Sequence, residues 1–95
     1  MNTFNISNDT IVVTSTYVTQ QGMPIIEISH DDDNEGGSLW QFHCGNGDYS
    51  MERMQLVRLD TILAIDSSVQ QVSDLELGAT AKRNGVGMDW KILCK

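Results

Sequence analysis

The chain has 95 residues and a mass of 10.6 kDa, enough for one domain and too few for two. Its net charge is −7, from thirteen acidic against six basic residues, which argues against a nucleic-acid phosphate backbone or an anionic membrane as partner. A basic protein is the natural electrostatic complement of such a chain.

For this mass, surface scaling gives roughly 15,000 Å² unfolded and roughly 5,500 Å² folded, so a core can form without a metal or disulfides. The two cysteines, Cys44 and Cys94, are far apart and form no disulfide framework. No Cys-x-x-Cys is present, and no stretch approaches the ~20 apolar residues of a membrane span. The start lacks the basic and apolar segments of a signal peptide, so the expectation is a cytoplasmic protein with reduced thiols.

Residues 1–9 are rich in Asn, Ser and Thr and are expected to fray. Residues 11–18 are β-branched and aromatic and predict a strand, with an end near Ser15. Gln20-Gln21-Gly22 predicts a turn, and Pro24 opens a second strand over 25–29. The polar run 31–37, Asp-Asp-Asp-Asn-Glu-Gly-Gly, then joins that strand to a third over 39–44 as a long hairpin. In the third strand Trp40, Phe42 and Cys44 share one face, with Gln41 and His43 on the other.

Gly45-Asn46-Gly47-Asp48 reads as a turn, and residues 54–57 as an edge strand. Asp60 is the expected N-cap of a helix over 61–65, and Ser67-Ser68 begins a second helical turn carrying Val69 and Val72. Residues 78–82 and 88–93 close the chain as a hairpin around Asn84-Gly85-Val86-Gly87. The order predicts a single α+β domain over 1–95: a small, largely antiparallel sheet with one short helical region packed on it.

The acidic run is the first candidate site. Asp31, Asp33, Glu35 and Gly36 stand where a calcium loop begins, but its twelfth position is Phe42 and its flanks read as strands. A solvated hairpin tip, or a contact surface for a basic partner centred on Asp31, Asp32, Asp33 and Glu35 with Tyr49 and His43, fits better. A metal or small-molecule site using this loop with His30 and His43 is the alternative, should hairpin pairing bring the histidines together. The bland view of His43 is an exposed strand histidine. Adjacent His43 and Cys44 point to opposite faces of a strand, which is poor for a nucleophilic pair. No nucleophile elbow, HExxH helix or Walker loop occurs. The expectation is therefore a protein that is not an enzyme and needs no cofactor. Trp40 and Trp90 are expected to fill the core.

Three stretches carry a family resemblance. They are Leu39-Trp40-Gln41-Phe42 with the following Gly47-Asp48, the segment from Val57 to Asp66, and Leu75 to Arg83 ahead of Trp90. Together they resemble the bacterial immunity protein 33 type, once catalogued only as a domain of unknown function. The resemblance implies a protein that binds and neutralises a toxin delivered between bacteria, in the cytoplasm of the producer. Toxin nucleases tend to be basic, and an acidic mimic of their substrate would complement them.

Overall fold

The computed structural model describes residues 3–93. Among the described residues six strands, the helix after the fourth and the helical turn that follows it come in the expected order, and one short helix after the first strand was not expected. They are β1 (Ile11–Ser15), α1 (Thr16–Thr19), β2 (Glu27–Asp32), β3 (Ser38–His43), β4 (Met54–Arg58), α2 (Leu59–Ile65), the 3₁₀ helix Ser67–Val72, β5 (Thr80–Lys82) and β6 (Lys91–Leu93). The strands form one six-stranded sheet in the order β4-β1-β3-β2-β5-β6. Among the described residues only β1 and β3 pair in parallel; the other pairings are antiparallel. The fold class is α+β, as expected.

Alternation along the strands fixes the two faces. Val12 and Thr14, Ile28, Trp40 and Phe42, and Ala81 point to one side and are buried. Leu59 and Ile62 of α2 and Val69 and Val72 of the 3₁₀ helix join them in a single core. Thr14 is polar, yet its hydroxyl donates to the carbonyl of Phe42 at 2.7 Å, so burial leaves that group satisfied. The total accessible surface, 5674 Å², is close to what the mass predicts.

Several local expectations shift. The first strand stops at Ser15, and Thr16 begins one helical turn that buries Val18. The second strand starts at Glu27 and runs to Asp32, because pairing with β3 is regular from Glu27↔His43 to Asp32↔Ser38. The Asp60 cap is corrected: α2 starts at Leu59, and Asp60 sits in the first turn, where it pairs with Arg58 at 2.8 Å. The carboxylate still lies at the positive end of the helix. The 3₁₀ helix does have an acidic cap, Asp66, whose side chain accepts from the Ser68 N–H at 2.9 Å.

The expected fraying of residues 1–9 is also corrected for the described part of that segment. Phe4 is only 6% exposed, and its ring meets Trp40 edge-on at 4.9 Å. Thr3 donates its N–H to Gln70 at 2.9 Å. One large aromatic in a polar segment is enough to anchor it, since its burial removes substantial apolar area from water. Trp40 fills the core as expected, whereas Trp90 is half-buried and lies 4.2 Å from the Arg83 guanidinium. Cys44 is buried and free, and Cys94 lies outside the described residues. Among the described residues no helix is long and apolar enough to cross a membrane.

Candidate functional site

The other face of the sheet is formed by the alternate residues of every strand. Across its middle stand Glu27, Ser29 and Asp31 of β2 and Leu39, Gln41 and His43 of β3. Val13 and Leu56 lie side by side on β1 and β4, and Thr80 and Lys82 on β5. Among the described residues no helix lies over this face. Only the turn between β3 and β4 folds across part of it. Gly45 makes that turn possible: its φ is +70°, and a Cβ there would stand 3.0 Å from Ile26.

The turn delivers Tyr49 onto the sheet. Its ring meets the imidazole of His43 edge-on at 5.0 Å, and its hydroxyl donates to Glu27. Glu27 also pairs with Lys82 at 3.2 Å. Beside them runs a chain of side-chain bonds. Ser29 and Gln41 both donate to Oδ2 of Asp31, at 2.9 Å each, and Nε2 of His43 lies 3.0 Å from Oε1 of Gln41. With the Gln41 amide nitrogen turned to Asp31, its oxygen faces His43, so Nε2 carries the imidazole proton. These groups line an open depression of about 500 Å³.

The environment acts on two of these groups. Burial holds His43 below the usual histidine value, with Glu27 and Asp31 opposing that shift. Tyr49 is pushed up to about 12, by burial first and then by its bond to Glu27. Both groups are therefore neutral near pH 7.

A second depression, about 410 Å³, adjoins the first and shares Gln41 and Tyr49 with it. Its walls include Val13, Leu39, Met51, Met54 and Leu56. Met51 is 87% exposed and Leu56 69%. The open face thus has a polar half over β2 and β5 and an apolar half over β1 and β4.

The residues expected to form one site divide into two groups. Asp31, His43 and Tyr49 meet in the polar depression. Asp32, Asp33 and Glu35 stand exposed at the hairpin tip. Asp31 belongs to β2 rather than to the loop, so its side chain turns onto the sheet. At the tip Asp32 accepts from the Asn34 N–H at 2.8 Å, and Oδ1 of Asp33 accepts from the N–H groups of Glu35 and Gly37 at 2.8 and 2.9 Å. These bonds hold Asn34 at a φ of +64°.

The view of His43 as an exposed strand histidine is corrected: it is 5% exposed, because Tyr49 folds over it. The two histidines do not meet. His30 points to the core side, stacked on Trp40 at 4.1 Å with Nδ1 2.8 Å from the Leu75 carbonyl, while His43 faces the open side. Among the described residues no three His, Cys, Asp or Glu side chains converge so as to hold a metal ion. Glu27, Ser29, Gln41 and Lys82 were not expected at the site. The signal for the first two lay in β2, where Glu27, Ser29 and Asp31 alternate with buried Ile28.

Comparison with known proteins adds no relative. No family model, curated protein or solved structure matches the chain. The geometry of the open face therefore stands on its own.

Proposed function

We propose that the chain is a non-catalytic binding protein, an immunity protein that neutralises a cognate bacterial toxin by direct contact in the cytoplasm of its producer. The uncovered sheet face is the observation that carries this reading. Contiguous exposed apolar side chains rimmed by polar ones mark docking surfaces in soluble domains. Met51, Leu56 and Tyr49 offer that surface beside the hydrogen-bonded patch around Asp31 and Glu27. Aromatic and Met anchors of this kind dominate binding energy at the centre of an interface. The acids at the hairpin tip supply long-range attraction for a basic partner. The three stretches that resemble immunity proteins, and the net charge of −7, point the same way.

The test is capture with tagged protein from the bacterium that encodes the chain, followed by assay of the purified partner. The expected result is one stoichiometric partner whose toxic activity falls on addition of the chain. Met51→Asp should weaken that complex by on the order of tenfold or more. Serine at Asp32, Asp33 and Glu35 should slow association and flatten its salt dependence. Absence of any stable partner would remove the reading. Full binding by Met51→Asp would move the contact away from this face.

A further inference from the structure

Among the described residues the sheet has two free edges, and they differ. β6 offers three residues, Lys91–Leu93. β4 offers five, Met54–Arg58, with no proline. Its bonds to β1 have a fixed phase. The N–H of Leu59 donates to Thr10 at 2.9 Å and that of Thr16 to Arg53 at 2.8 Å, and the register Val12↔Val57 and Thr14↔Gln55 continues the same set. Gln55 and Val57 therefore spend their backbone groups on β1. Met54 and Leu56 turn both N–H and C=O outward, and Arg58 turns its N–H outward. Unpaired backbone beside exposed apolar side chains is a template for another strand.

We infer that the occupant is a second copy of this chain, which forms a two-fold dimer through the β4 edge. The pattern is self-complementary. An antiparallel pairing centred on Leu56 sets Leu56 against its own counterpart, with both backbone bonds exchanged. It also sets the Arg58 N–H against the Met54 carbonyl of the second copy, on both sides of the axis. Such an isologous contact closes and does not propagate. The charges in and beside the strand, Glu52, Arg53, Arg58 and Asp60, cancel, so the edge is locally neutral on a chain of net charge −7. The side chains of Met54 and Leu56 lie on the open face. Pairing thus joins the two apolar depressions into one and extends the sheet without covering the docking face. The inference stands independently of the toxin-binding reading.

Light scattering over a range of concentrations tests it. The expected apparent mass is twice 10.6 kDa at high concentration and falls toward 10.6 kDa on dilution. Leu56→Lys places two ammonium groups opposite each other at the axis and should leave the monomer, while Leu56→Ile should keep the dimer. In the wild-type protein, the Leu56 and Arg58 amides should exchange more slowly as concentration rises. A mass of 10.6 kDa at every concentration would overturn the inference. So would a dimer that survives Leu56→Lys, or one whose Leu56 amide stays unprotected.

Discussion

The guanidinium of Arg83 lies 2.7 Å from Oδ2 of Asp66, joining the end of β5 to the cap of the 3₁₀ helix. The Arg83 side chain has no solvent exposure and that of Asp66 only 14%. The same guanidinium donates twice to the Ile25 carbonyl, at 3.1 and 2.8 Å, and once to Ser68 Oγ at 2.9 Å. Trp90 closes over it. A buried cation is tolerated only when its donors are used, and here each nitrogen has a partner.

Removing either partner should therefore be costly. Asp66→Ala leaves the buried Arg83 charge without its carboxylate and should cost about 3–5 kcal/mol. Arg83→Lys should fail to restore stability, because an ammonium cannot span Ile25, Ser68 and Asp66 at once. Urea unfolding followed by circular dichroism measures both. A loss below about 1 kcal/mol for Asp66→Ala would show that the pair is dispensable.

Phe4 gives a second test, since the polar segment around it would otherwise be expected to contribute nothing. Phe4→Ala should cost about 3 kcal/mol, with the Trp40 ring left beside the gap. The same unfolding experiment applies, and Trp40 emission should shift as its environment opens. An Asn5→Ala change next to it, at an exposed position, should be near neutral.

His43 sets a pH dependence. Its folded value lies below its unfolded value of about 6.5, so the unfolded chain takes up a proton first. The contribution to stability is full above that unfolded value and declines as pH falls through it toward the lower folded value. Thermal melts between pH 7.5 and 5 should show this decline, and His43→Gln should reduce it. An unchanged slope in the variant would assign the decline to other groups.

Tyrosine titration probes the same patch from the other side. Tyr49 should ionise near 12, and Tyr17 is also raised, chiefly by its bond to Asp48. Tyr49 should then contribute little phenolate absorbance at the ordinary tyrosine value of about 10. Glu27→Gln should bring Tyr49 down and leave Tyr17 unmoved. Equal shifts of both would point to a global change instead.

Local features of the fold were legible in the sequence. The β-branched run gave β1, the alternation of Trp40 and Phe42 with Gln41 and His43 gave β3, the acidic Gly-bearing run gave the β2–β3 hairpin, and Asn84 to Gly87 marked the turn before β6. These depend on side-chain chemistry within a few residues. The placement of β1 between β3 and β4 depends on long-range packing, and no local pattern encodes it. The site was half legible for the same reason. Asp31, His43 and Tyr49 could be named as candidates, but their meeting depends on the Glu27↔His43 register and on the turn that brings Tyr49 back over the sheet. The split between Asp31 and the tip acids follows from strand length and alternation: β2 runs to Asp32, past the expected end at residue 29, and Asp31 shares the open face with Gln41 whereas its neighbour Asp32 does not.

The sheet order has a consequence for synthesis. Of the six strands described, β1 leaves the ribosome first, and both of its neighbours, β3 and β4, are made later. Until residue 43 has emerged, β1 has no parallel neighbour to pair with, and until residue 58 it lacks the antiparallel one. Two unpaired edges and the apolar run Ile11 to Val13 stay exposed during that interval, with loop-closure entropy delaying their pairing. The acidic surplus of the chain would oppose association of nascent copies there, while the interior strand β1 waits for its neighbours.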